Sequence, residues 1–413
     1  MRFRSLAVGA AVLGCAILAT AAIALAVSIR PNGVDFRVDS IPASALLAKP
    51  ATLLVDPDRQ AAALRLARWL FPGWIISILA QIVTLAFFWQ SGNAARWRDQ
   101  LRRWTGSSTL VRILFGASLA LIARVASIVP EFYIYRVHRT MGLSSQLLHT
   151  WSLDWLLNTA ISMVATGLVI AIALWLVDRA RFWYVYLAAF IVSVSVAIAG
   201  FSPYFSAVTA PPLRAQAAIA SAQQSARLDV PVVMEVHPNA RLGTARVEGI
   251  WTRPRVVLGD TVFLVSAPDE LRFIVAYELA YVQKGTPLRF ALLDALFVIL
   301  GAAIAVAVAD RIGFRRDDDP VSRLALVGAL LGVMYMIVLP VDNALQRRMS
   351  AEAVSFAIDR TGERAAAVRV AIRAADQRLD EVCPNVINRL FFLTTLDPSQ
   401  WVETANGVPS GCP

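Results

Sequence analysis

Apolar residues along this chain of 413 gather in long unbroken runs, not in the two-faced patterns of soluble helices and strands. A bilayer hydrocarbon core of about 30 Å calls for about 20 mostly apolar helical residues. Seven runs approach that length without central charge: residues 5–28, 70–89, 113–129, 155–177, 182–199, 290–309 and 324–341. The third is the weakest, because Arg112 and Arg124 lie beside and within it. Trp69, Trp74, Trp89, Trp155, Trp183 and Tyr184 sit near run ends, where amphipathic rings prefer the headgroup layer. The first run reads as a retained anchor. Its basic start and the small residues near 22–24 leave a cleaved signal peptide as the other reading.

Two polar stretches, 202–289 and 342–413, are long enough to fold outside lipid. In the first, 230–236, 245–251 and 255–258 are β-branched or alternating runs bounded by Pro, Gly and Asn, which predicts a small sheet. A helix follows. Ser266 with Asp269 has N-cap spacing, and Leu271, Val275, Leu279 and Val282 recur at helical intervals. The expected architecture is a mainly α integral membrane protein of about seven transmembrane helices with a small α+β domain. Its divisions are 1–29 anchor or signal, 30–200 spans two to five, 201–289 strand-helix domain, 290–341 transmembrane hairpin and 342–413 second motif helix and tail.

Composition agrees. With 57% apolar and 16% charged residues and a mean hydropathy of +0.59, a purely soluble enzyme and a disordered chain are both excluded. Basic residues exceed acidic by 39 to 29, and nearly all are Arg. In so apolar a chain this surplus is assigned to the lipid bilayer, and nucleic acid is not expected as a partner. Cys15, Cys383 and Cys412 lack paired metal-site or redox spacing.

The chemistry centres on two helical segments. The first reads Asp269-Glu-Leu-Arg-Phe-Ile-Val-Ala-Tyr277-Glu278-Leu-Ala-Tyr281-Val, and the second, a helix expected to start near Pro340, runs from Asn343 through Ser350, Glu352 and Val354 to Gly362. They are separated by two spans. The first resembles the zinc helix of the membrane gluzincin metallopeptidases, the group of the CAAX prenyl endopeptidases and heat-shock membrane peptidases. There H-E-x-x-H places two His one turn apart on Zn²⁺, and the Glu takes a proton from metal-bound water. Here both His positions are Tyr. The resemblance covers most of the chain: residues 136–154 are similar to a loop before the family's fourth span. Thr244, Ala245 and Gly249 resemble its peptide-binding edge strand, and 253–261 the strand and turn that follow. It implies that Ser350 stands at the third ligand position and Val354 at that of an orienting carboxylate. It further implies that Asp397-Pro398 replaces a His-Pro element and Glu403 an Arg.

Two phenols and an alcohol make a poor zinc site, because a tyrosine of reference pKa near 10 must first lose its proton. Without the metal, Glu278 at the general-base position lacks an activated water. Glu352 is offset by two residues, about 200° around a helix, and points away. The expected cofactor is therefore none, zinc being lost, and the chain reads as a pseudo-peptidase that binds a peptide, protein or lipidated client. Two alternatives stay open: an active metalloendopeptidase with an atypical site using Glu278 with Glu352 or Asp359, and a channel, transporter or assembly subunit reusing the scaffold. Glu278 also has a structural reading, as a hydrogen-bond partner of the edge strand or of Arg. Tyr277 and Tyr281 have one as filling of the former metal cavity. His138, His149 and His237 lie in neither motif helix and read as loop or interfacial residues, while Arg112, Arg124 and Asp294 at membrane depth mark a polar chamber or, for Arg112, a snorkelling side chain.

Arg-dense short segments at 2–4, 96–103, 179–181 and 311–323 favour the cytoplasmic side, which sends both motif segments outward. The family resemblance implies the opposite face. A disulfide between Cys383 and Cys412 would suit an oxidising exterior. The Arg-for-Lys usage suits a bacterial inner membrane.

Overall fold

The computed structural model describes residues 12–21, 36–204, 206–236, 243–250, 254–313 and 320–412. Among these, six helices are long and apolar enough to cross a membrane. The major helices are α1 (Pro57–Gln90), α2 (Asn93–Thr105), α3 (Ser108–Thr140), α4 (Leu148–Arg179), α5 (Trp183–Phe201) and α6 (Leu213–Ala226), then α7 (Pro268–Gln283), α8 (Thr286–Gly313), α9 (Pro320–Thr361), α10 (Arg364–Arg378) and α11 (Pro398–Asn406). The six spanning helices are α1, α3, α4, α5, α8 and α9, and no more than 28% of the apolar window of any is buried against protein. Apolar on all sides yet little covered, they suit a lipid surround. The expected run 5–28 lies largely outside the described residues, and its middle, Val12–Ala21, is helical.

Each spanning helix overruns its expected bounds, because polar turns at the ends carry no hydropathy signal yet keep the backbone ladder. The extreme case is α9. At 42 residues it is about 63 Å long, more than twice a bilayer core. The second motif helix does not start near Pro340: that residue lies inside an uninterrupted α9, so the expected division at 341 falls within a helix. A proline removes one backbone bond and kinks a helix but need not end it where neighbours pack on both sides.

Alternation of the spans sorts the connections onto two faces. One carries α2, the turn between α4 and α5, the end of α8 and the start of α9; the other carries α6, the sheet, α7, α10 and α11. Two of the three charges read at membrane depth are paired among the described residues, and Asp294 on α8 has no ion pair there. Arg112 pairs with Asp178 across α3 and α4, and Arg124 Nη1 lies 2.8 Å from Glu131 Oε1.

The sheet is small and mixed. Its order is β1 (Val232–Glu235), β3 (Arg255–Gly259), β2 (Ala245–Glu248), with β1 parallel and β2 antiparallel to β3. Central β3 buries Val256, Val257 and Leu258. The outer side of β1 is bridged by Thr209, whereas no strand lies outside β2 among the described residues.

The core outside the membrane is built around α7, which is apolar on two faces. Leu271, Val275 and Leu279 pack on α6 and the sheet. Phe273, Ala276, Tyr277 and Ala280 pack on α9, α10, α11 and the segment after Phe36. The helix start is capped one residue later than its Ser266 spacing predicts: Ala267 N donates to Glu270 Oε2 at 2.9 Å. Glu270 is fully buried, and Arg369 and Arg373 pair with it, Arg373 also reaching Asp39. Both arginines lie on α10, so this cluster ties α7 to α10.

Candidate functional site

Helical spacing puts Tyr277 and Tyr281 one turn apart on the same face of α7, and α9, emerging from the membrane beside it, brings in Ser350. The three hydroxyls meet. Tyr277 OH lies 2.7 Å from Tyr281 OH and 2.9 Å from Ser350 Oγ. Ser350 Oγ also accepts from Leu396 N at 3.4 Å, and Trp401 of α11 lies over the Tyr277 ring at 5.1 Å. Val354, one turn beyond Ser350, is fully buried in apolar surroundings.

Of these, Tyr277, Tyr281, Leu396 and Trp401 border a cavity of about 370 Å³, while Ser350 lies buried behind the tyrosines. Thr244 to Val247 of the β2 edge form one wall, Tyr277, Glu278 and Tyr281 another, and Gln377, Thr394 to Leu396 and Trp401 close it. Glu278 is 4% exposed and makes no hydrogen bond or ion pair to the described residues, so neither the edge strand nor an Arg engages it there. Burial pushes its carboxyl up to about 8, and at neutral pH it is mostly the uncharged acid. Burial likewise pushes Tyr281 up to about 12, and Tyr277 well above the usual phenol value, with the neighbouring Tyr281 and Glu278 charges adding to it.

Backbone pairing decides which edge groups are free. Gly259 N donates to Thr244 O at 2.8 Å. Bonded pairs alternate along an antiparallel ladder, so Arg246 and Glu248 face β3 as well, while Ala245 and Val247 turn their N–H and C=O outward. Of the three edge residues read from the sequence, Thr244 has its carbonyl engaged and Gly249 ends the strand at φ 82°, its N–H on Ser202 Oγ at 3.1 Å. Ala245 alone presents an open backbone face, and Val247 joins it unforeseen.

Other expected residues lie elsewhere. Glu352 is exposed and pairs with Lys284 Nζ at 2.5 Å, and Asp359 is exposed too. Among the described residues no group of three His, Cys, Asp or Glu side chains could hold a metal ion. Asp397 is fully buried, caps α11 by accepting from Gln400 N at 2.8 Å, and pairs with Arg389; Glu403 is exposed. His149 is exposed on α4, His138 lies in α3, and His237 falls outside the described residues. Trp401, Gln377 and residues 394–396 gave no signal in sequence, since their place follows only from how the tail folds back over α7.

Comparison with known proteins agrees with this geometry. Residues 60–207 match the model of the CAAX prenyl protease N-terminal domain with five membrane helices, and residues 213–404 match that of peptidase family M48. A Bacillus subtilis (strain 168) protein described as the uncharacterized metalloprotease YhfN is 24% identical over 316 residues, 71% of this chain and 73% of that protein. The crystal structure of S. mikatae Ste24p is similar with a TM-score of 0.70 at 14% identity, over 95% of this chain and 98% of that one, and so shares its fold. The two family matches together span most of the sequence, and the chain belongs to peptidase family M48, as a multi-pass membrane member.

Proposed function

We propose that this chain is an M48 homologue that has given up zinc and hydrolysis and keeps its cleft for holding an extended peptide. One observation carries the reading. At the three places where the family resemblance implies metal ligands stand Tyr277, Tyr281 and Ser350, and their hydroxyls satisfy one another at 2.7 and 2.9 Å. This donor set does not fit Zn²⁺. Both phenols are held further from deprotonation than in water, and Ser350 is fully buried. A neutral Glu278 has no basic lone pair to take a proton from water at pH 7. The outward N–H and C=O groups of Ala245 and Val247, opening on the same cavity, support strand addition, which needs no metal. The exposed positions of Glu352 and Asp359 speak against a relocated site built with Glu278.

The test is metal analysis of the purified chain by mass spectrometry beside a peptidase assay. The expected result is far less than one zinc per chain and background cleavage that Glu278→Gln leaves unchanged. About one zinc per chain, with cleavage abolished by Glu278→Gln, overturns the proposal. The combined variant Tyr277→His, Tyr281→His and Ser350→Glu is expected to regain stoichiometric zinc, because the three side chains already converge.

A further inference from the structure

An arginine-rich helix between the first two spanning helices takes no part in the cleft. Left-handed glycines bound α2 at both ends, Gly92 at φ 76° and Gly106 at φ 61°, and confine it to the membrane face where α1 ends and α3 begins. That face is opposite the one bearing the cleft. The inward stripe of α2, Ala94, Arg98 and Leu101, is buried on the bundle. Asp99, its one acidic residue, lies 2.8 Å from Arg98.

The outward stripe carries Asn93, Arg96, Trp97, Gln100, Arg103 and Trp104, at the spacing that places side chains on one helix face. Trp97 meets Trp104 edge-on at 5.6 Å and donates to Ser118 Oγ at 3.0 Å; Trp104 is 63% exposed. Exposed Trp among Arg is the composition of a helix lying in the headgroup layer. Between this stripe and the spans opens a groove of about 440 Å³. Arg96, Asn93 and Gln100 line it with polar groups, and Phe88, Leu121 and Ile122 with apolar ones. Arg96 is exposed, and its hydrogen bond to Ser91 O is long, at 3.4 Å.

We propose that this groove is a binding site for one anionic phospholipid, its phosphate held by Arg96, with Arg103 about two turns further along the same helix face adding positive charge, and its acyl chain laid along Phe88, Leu121 and Ile122. The mixed lining selects a molecule that is charged at one end and greasy at the other. The excess of arginine over acid on α2 selects net negative charge, since a zwitterionic headgroup brings a cation to a basic surface. In this arrangement the lipid ties α2 to the ends of α1 and α3 and anchors the bundle on the face away from the cleft.

The experiment uses the full-length protein in phosphatidylcholine nanodiscs. They are doped either with a photo-crosslinkable phosphatidylglycerol or with a phosphatidylcholine carrying the same reactive acyl chain, and adducts are mapped by peptide mass spectrometry. Phosphatidylglycerol adducts are expected to concentrate on peptides spanning 88–122 and to exceed phosphatidylcholine adducts there. Arg96→Gln with Arg103→Gln should cut that preference by about fivefold per arginine. Arg96→Lys with Arg103→Lys should keep most of it, and Arg364→Gln on the opposite face should leave it unchanged. Equal labelling of 88–122 by the two lipids in the wild type overturns the proposal. So does a preference that survives the double glutamine variant, which would reveal only the general pull of a basic face. Melting curves of each variant in the same nanodiscs separate lost binding from lost folding.

Discussion

At the scale of single residues, the chain tolerates ionisable groups in places where charge is costly. Glu270 is buried with two arginines and is satisfied; Asp376 is buried with neither carboxylate oxygen hydrogen-bonded among the described residues. Burial pushes Asp376 up to about 7; the Asp56 backbone N–H, too loosely placed to make a hydrogen bond, opposes this, as do Arg59 and Arg37, while the charge of Asp56 acts the same way as burial. The linkage sign follows. The native state holds a proton that the unfolded chain releases near pH 4, so this residue lowers stability progressively as pH rises from about 4 to about 7. Asp376→Asn should therefore flatten that part of the pH–melting curve, raising the midpoint at pH 8 by several degrees relative to wild type and leaving pH 4 little changed. Thermal melts in detergent across that range check it. The choice of Tyr277, Tyr281 and Ser350 as one set was legible from sequence alone, from helical spacing on α7 and from what the family resemblance implies for α9. Their mutual hydrogen bonds were not, since a 73-residue separation between Tyr277 and Ser350 carries no geometric information.

Among the elements, the β2 edge and the two motif helices cooperate. The edge contributes backbone groups, α7 contributes Tyr277, Glu278 and Tyr281 and α9 contributes Gln346 to one cavity, so a bound strand would lie across the two tyrosines. Ala245→Pro removes an outward N–H without breaking a bond to β3, whereas Ala245→Val keeps it. For a peptide selected from a random library on the wild-type protein, the proline variant should bind about 3- to 10-fold more weakly, the loss of one hydrogen bond. The valine variant should bind within about twofold, and fluorescence anisotropy reads both. The alternating runs at 245–251 and 255–258 did announce strands, but which residues of β2 face outward depends on register, and Gly259 N meeting Thr244 O sets that. Long α9 was read as two helices for a simple reason. Hydropathy reports lipid depth, not backbone continuity, and Pro340 looked like a break.

For the molecule as a whole, the alternation of spans places the motif domain and the tail together on one face and arginine-rich α2 on the other. The tail is closed by a disulfide between Cys383 and Cys412, 29 residues apart. Such a bridge persists in oxidising compartments, and arginine-dense segments are retained in the cytoplasm, so these two features set an outward-facing cleft as the expectation to test against the opposite face that the family resemblance implies. A membrane-impermeant maleimide applied to intact cells is expected to label Cys383 and Cys412 only after external reduction. Labelling that requires cell lysis would contradict the outward orientation. Cys383→Ser with Cys412→Ser should cost about 3.6 kcal/mol by removing a cross-link over a loop of that length, seen as a lowered melting midpoint.

What the amino-acid order by itself determined was the membrane class, the position of nearly every spanning helix, the three small strands and the family resemblance of the two motif helices. These rest on local hydropathy and short-range periodicity, which act within one or two turns of backbone. Tertiary structure alone decided that α9 runs unbroken from lipid to cleft, that Trp401 and the tail roof the tyrosines, and that Glu278 faces the cavity unpaired among the described residues. It also decided that a groove opens beneath Arg96. Each depends on packing between segments far apart in the chain, and the energy of such contacts is set by shape and burial that no single stretch of sequence contains.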